Sequence, residues 1–152
     1  MPAEAGAGRS LSPLPGAFLD RLRGQEEVLV SSRGRSGQGT VPMWFALVPP
    51  GYVYLLTQPF SLKAQRWLED PWVRLQVPGD RSQQEGMVTD VGWEEASRHA
   101  ELLVERFAMA GAATSEALQW MLQDGSRRLV KVGLPASPDS QTRDLVEGDN
   151  RG

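Results

Sequence analysis

The sequence predicts a mainly antiparallel β protein, closed into a small barrel or sandwich and flanked by helices. Two observations carry that expectation. Five or six short apolar stretches, several of them alternating, are separated by Gly- and Pro-rich turns along the chain. The two longest helical patterns come late, between residues 93 and 123, instead of alternating with strands as βαβ units require. With 152 residues there is room for one domain built on one core. Closing the sheet on itself removes the exposed edges that an open sheet would leave.

Both ends lack apolar periodicity. Met1–Pro15 and Pro135–Gly152 are rich in Gly, Pro, Ser and charge, and read as flexible tails around a domain spanning Gly16–Leu134. Ala17–Gln25 places Phe18, Leu19 and Leu22 on one side and forms a short amphipathic helix. Val28–Val30 is the first strand, followed by a turn dense in glycine and hydroxyls over Ser31–Gly39. Thr40–Val48 is the second, with Val41, Met43, Phe45 and Leu47 on one face and Pro42, Trp44 and Ala46 on the other. Pro49-Pro50-Gly51 turns it into Tyr52–Thr57, so these two strands are expected to pair as an antiparallel hairpin.

Ser61 is the N-cap of a helix running to Glu69, which Asp70-Pro71 ends because a residue before proline disfavours helical geometry. Trp72–Val77 alternates, with Val73, Leu75 and Val77 inward. After the Pro78-Gly79-Asp80 turn, Glu85–Val91 is a weaker strand. Trp93–Met109 carries Ala96, Ala100, Leu103 and Phe107 at helical spacing, and a further helix covers Thr114–Gln123. Arg127–Val132 is the last strand.

Composition narrows the function by exclusion. A formal net charge of −3 gives no basic field for nucleic acid. Cysteine is absent, which removes disulfides, thiolate metal sites and cysteine nucleophiles. No apolar run reaches the roughly 20 residues that span a bilayer, and Met1–Pro15 lacks the apolar run of a signal peptide, so a cytoplasmic protein with no membrane partner is expected. The single histidine, His99, lies in a charged helical neighbourhood and reads as a surface residue, since a metal site needs several ligands. There is no HExxH, GxSxG or Walker motif, and glycines 34, 37 and 39 lie between two strands, not at a strand-to-helix turn. The carboxylate pairs Glu26-Glu27, Glu69-Asp70 and Glu94-Glu95 read as solvated faces. No catalytic residue is assigned and no metal site is expected. Any catalysis would fall to a bound cofactor.

One constellation points to a ligand. Ser61 caps a helix whose first turns carry Lys63 and Arg66, and the amides and dipole of a helix N-terminus attract anions. Arg33 and Arg35, in the glycine-rich turn, are candidates to approach the same anion. Lysine and arginine on a short helix are often only solvated, so spacing alone leaves both readings open. Trp44, opposite the apolar stripe, calls for cover by a partner subunit or a planar ligand.

The order of these pieces resembles the pyridoxamine 5′-phosphate oxidase-like proteins. Between Val28 and Val77 the matching residues are Ser31-Ser32, Gly34 and Gly37, Pro42-Met43-Trp44-Phe45, Thr57, Lys63 and Asp70-Pro71. The resemblance implies a six-stranded antiparallel split β-barrel with flanking helices, forming a homodimer with a flavin-type cofactor at the subunit interface. The cofactor is FMN, or alternatively a deazaflavin. Its phosphate is expected near Ser61, Lys63 and Arg66, with Arg33 a further cofactor-binding candidate, and its ring along the strands of Ser31, Ser32, Pro42, Met43 and Trp44. The implied function is a flavin- or deazaflavin-dependent oxidoreductase acting on an unknown small-molecule substrate. The alternatives are a non-catalytic module holding flavin or haem, or an interaction module without cofactor. Two departures stand out. The last strand leads into a polar segment without histidine, which argues against vitamin B6 oxidation, and Trp67 follows Arg66 where the family often has Asn, which is expected to narrow the groove.

Overall fold

A computed structural model of the chain describes residues 10–35 and 37–136, and in it the strand alternation becomes one antiparallel sheet of eight strands. The strands are β1 (Leu11–Ser12), β2 (Glu27–Gly34), β3 (Gly37–Trp44), β4 (Ala46–Val48), β5 (Tyr52–Thr57), β6 (Trp72–Gln76), β7 (Gln83–Asp90) and β8 (Arg128–Pro135). The helices are α1 (Gly16–Leu22), α2 (Leu62–Glu69), α3 (Trp93–Ala96), α4 (Ala100–Phe107) and α5 (Ser115–Gln123). Along the sheet the order is β3-β2-β6-β7-β8-β5-β4, with β1 added against β8.

The two ends of that path, β3 and β4, are consecutive in the chain and separated only by Phe45. The barrel therefore closes through the chain itself at this point, which is where it is split. This corrects the expected single strand over Thr40–Val48. Its first part pairs with β2, from Glu27↔Trp44 to Gly34↔Gly37, and only Ala46–Val48 pairs with Tyr52–Tyr54. The break is held from a distant helix: Arg106 Nε donates to the Phe45 carbonyl at 2.8 Å, and its guanidinium lies 5.3 Å from the Phe45 ring centre. Dividing that strand and adding β1 raises the count from the expected six to eight.

Two cores lie on the two faces of the sheet. Val28, Val30, Met43, Phe45, Val53, Leu55, Val73, Leu75, Val130 and Val132 fill the barrel, joined by Phe18, Leu19 and Leu22 of α1 and Trp67 of α2. Each fully buried side chain of this kind contributes roughly 1.5–3 kcal/mol. The opposite parity of β5 and β8, Tyr54 and Leu129, packs with Ala96, Leu103, Phe107 and Leu118 of the late helices. The long helix expected over Trp93–Met109 is broken by a 3₁₀ turn at Ser97–His99. Its two parts are tied to different places in the sheet, α3 through Glu95 to Tyr54 of β5 and Lys131 of β8, and α4 through Arg106 to Phe45 at the break between β3 and β4.

The domain starts earlier than the tail reading places it. Leu11 and Ser12 pair with Pro135 and Leu134, Leu14 is buried, and the Leu14 N–H donates to the Gly51 carbonyl at 2.8 Å. A two-residue strand is too short to register as a period. Likewise β8 continues through Pro135, where the C-terminal tail was expected to begin. The rest of the two segments expected as tails, residues 1–9 and 137–152, lies outside the described residues. No described helix is long and apolar enough to cross a membrane.

Candidate anion and cofactor site

The site is built around α2. The Ser61 hydroxyl accepts from the Ala64 N–H at 3.2 Å, so Ser61 is the N-cap that its position indicates. That hydroxyl is in turn 3.1 Å from the Thr57 hydroxyl, which is buried at the end of β5. Ala64 and Trp67 are the buried residues of the helix. Lys63 and Arg66, three residues apart, share a different face.

Arg66 lies across the β2–β3 hairpin. A Cβ at Gly39 would stand 2.8 Å from Arg66 Nη1, and one at Gly34 would stand 3.1 Å from its Cγ. Two bare backbone positions thus form the bed for this side chain. Its Nε is buried and has no hydrogen-bond partner. Among the described residues neither Lys63 nor Arg66 makes an ion pair. Burial pushes the Lys63 ammonium below the ordinary lysine value, because desolvation penalises the charged form. Two cations stand on one helix, Lys63 partly desolvated in its capped first turn and Arg66 in its last turn with an unanswered donor. Such an arrangement attracts an anion.

The nine residues singled out from the sequence divide into two groups. Neighbouring strand residues face opposite ways, so Ser31 and Ser32 do not share a surface. Ser32 pairs with Gly39 on the barrel-side face, the face of Met43 and of the Arg66 bed. Together with Ser61, Lys63 and Arg66 these residues form the first group. Ser31, Arg33, Pro42 and Trp44 take the opposite face, where the buried Ser31 hydroxyl lies 2.7 Å from that of Thr40.

Arg33 does not join Lys63. It pairs with Asp70 at 2.7 Å and stacks 4.5 Å from the Trp72 ring centre. The Arg33 hydrogen bond and the Trp72 N–H hold the Asp70 carboxyl below the usual carboxylate range. Asp70 is the C-cap of α2, about 10 Å from Lys63 at 1.5 Å rise per residue. Arg35 is placed at the same end, its N–H donating to Glu69 Oε1 at 3.1 Å. Trp67 does not narrow the groove: it is buried in the barrel core. Two features of the site lie outside the residues that the sequence singles out: Gly39 as a bed for Arg66, and the contact from Thr57 to the cap. The spacing of Thr57 and Ser61, four residues apart before a capped helix, was the available signal for the second.

Solved structures supply the comparison. The chain aligns with a candidate pyridoxamine 5′-phosphate oxidase from Listeria innocua at a TM-score of 0.55 and 15% identity, over 80% of this chain and 92% of that one. It aligns with a FAD-binding protein of Mesorhizobium loti at 0.51 and 12%, over 84% and 93%. A protein named F420 reductase matches at 0.55 and 17%, over 82% and 97%. The chain has the pyridoxamine 5′-phosphate oxidase-like split-barrel fold. No family model and no curated protein sequence matches it. At these identities the likeness concerns architecture. Within the split barrel, β3 is an edge strand, and exposed Val41 and Trp44 lie on it.

Proposed function

We propose that this split barrel binds a phosphate-bearing flavin-type cofactor, FMN or a deazaflavin, and serves as an oxidoreductase. The observation that carries the reading is the pair Lys63 and Arg66 on α2, in no ion pair among the described residues, with Lys63 partly desolvated beside the Ser61-capped start and the Arg66 Nε buried without a partner. The residues present fit the group. Lys63 offers a point charge, Arg66 offers a forked donor whose Nε lacks a partner, and the N-terminal end of the helix adds its dipole. The free edge of β3 offers backbone donors and acceptors to the polar rim of the ring, and the exposed Val41, on the same face as Met43 and the Arg66 bed, offers apolar cover. When bound, the cofactor supplies the hydride or electron chemistry for which the side chains show no machinery. The names of the FAD-binding and F420 reductase neighbours agree with this class of ligand. Heat release of the bound molecule from purified protein, followed by mass analysis, tests the reading. A flavin mononucleotide or deazaflavin is expected, and haem would overturn it.

The same reading makes the protein a homodimer with the cofactor at its interface. Val41, Trp44, Phe60 and Leu62 are exposed around the hairpin and the start of α2, and a twofold pair covers such surface economically. Sedimentation at micromolar concentration is expected to give twice the chain mass. A monomer under those conditions contradicts the dimer.

Binding is expected to depend on pH through Lys63. Its folded-state pKa is lowered, so between that value and the ordinary one the unfolded chain holds more protons and stability rises with pH. A bound phosphate favours the ammonium and reverses this effect. FMN affinity is therefore expected to fall as pH rises through the lowered pKa, whereas Lys63→Arg, always charged, removes that fall. Fluorescence titrations at stepped alkaline pH measure it. An identical alkaline loss in Lys63→Arg would show that another group is responsible.

A further inference from the structure

The N-terminal turn of α2 is held from two strands at once. Thr57 and Arg128 are direct partners on the β5–β8 ladder. Thr57 reaches the Ser61 hydroxyl, whose other contact is the Ala64 N–H. Arg128 reaches the opposite side of the same residue: its Nη1 donates to the Ala64 carbonyl at 3.1 Å. Its Nε is anchored on the Asp90 carboxylate at the end of β7. The Arg128 side chain is 21% exposed and that of Asp90 is 66% exposed, so the pair bridges from the surface inward to the helix.

From this geometry we infer that Arg128 is a positioning residue for the anion site, a clamp that fixes Lys63 and Arg66 by holding Ala64 between them. The inference rests on the phosphate reading of that site. Phosphate recognition by two side chains on one helix requires the helix to be set against the hairpin that beds Arg66. Among the described residues, without Arg128 only the Thr57–Ser61 hydrogen bond ties the start of the helix to this ladder through side chains. A guanidinium is suited to the task because it can bind a carboxylate and a carbonyl at once, which the compact ammonium of lysine does less well. Arg128 does not touch the phosphate in this role. Its effect passes through Ala64.

Amide hydrogen exchange on the cofactor-free protein tests the clamp directly. In Arg128→Ala the amides of Ala64 and Gln65, which bond to Ser61, are expected to exchange about tenfold faster, with β6 and β7 unchanged. FMN affinity is expected to fall about tenfold and riboflavin affinity to hold, with Arg128→Lys recovering only part of the loss. Asp90→Asn, which weakens the anchor but keeps the strand, is expected to shift both readouts the same way by a smaller factor. Unchanged exchange at Ala64 and Gln65 overturns the clamp whether or not FMN binds. So does an equal loss for FMN and riboflavin together with faster exchange throughout the barrel, which marks a general structural defect. If wild-type protein binds no FMN, the cofactor reading fails, and the exchange measurement still decides the clamp.

Discussion

Replacing Lys63 and Arg66 together by alanine is expected to weaken FMN binding by about 100-fold or more. Each charge-assisted hydrogen bond to phosphate contributes roughly 1.5–3 kcal/mol, and about 1.4 kcal/mol is a factor of ten. The barrel is expected to survive the change, since neither residue belongs to the buried core. Arg66 also leaves its bed over Gly34 and Gly39 unfilled, a local loss at the hairpin. Riboflavin lacks the phosphate, and its affinity is expected to stay within about threefold of wild type, a few tenths of a kcal/mol. Fluorescence quenching titrations of both ligands make the comparison. Equal losses for the two would mean that these residues act by shaping the groove and not by meeting a phosphate.

Gly86→Ala is expected to cost about 3 kcal/mol or more of stability, the largest single effect on the fold. A Cβ at Gly86 would stand 2.5 Å from the Gly133 carbonyl oxygen and 3.3 Å from its carbon. Both atoms are backbone in β8, which also pairs with β1 and β5, so the strand cannot step aside as a flexible side chain would. Thermal unfolding is expected to shift downward by on the order of 10 °C. Gly16→Ala is the control: nothing lies within 4 Å of its added Cβ, and in a helix the change is neutral or slightly stabilising. Similar melting for both variants would show that β7 and β8 do not approach as closely as the sheet requires.

The elements with local signals were legible in the sequence. α2 has its cap at Ser61 and its stop at Asp70-Pro71, and β6 alternates with Val73 and Leu75 buried between half-exposed Trp72, Arg74 and Gln76. The partition of β3 and β4 was not legible, because alternation sets which way a side chain faces and says nothing of which strand lies alongside. What divides them is a guanidinium 61 residues away. The site shows the same limit. Lys63 and Arg66 were readable because helical spacing places them side by side, whereas the commitment of Arg33 to Asp70 depends on a contact across 37 residues. The burial of Trp67 in the barrel core likewise needed the third dimension. The opposite facing of Ser31 and Ser32 follows from period two once β2 is known to run to Gly34.

The central claim is that a phosphate is received between Lys63, Arg66 and the capped turn of α2. Resonance shifts in isotope-labelled protein test it most directly, with FMN and riboflavin added in turn. FMN is expected to move the Ala64 and Gln65 amides, the Lys63 Nζ signal and the Arg66 Nε signal, whereas riboflavin leaves these four in place and moves only resonances along β3. Shifts from FMN confined to other parts of the barrel, with these four unmoved, would contradict the account.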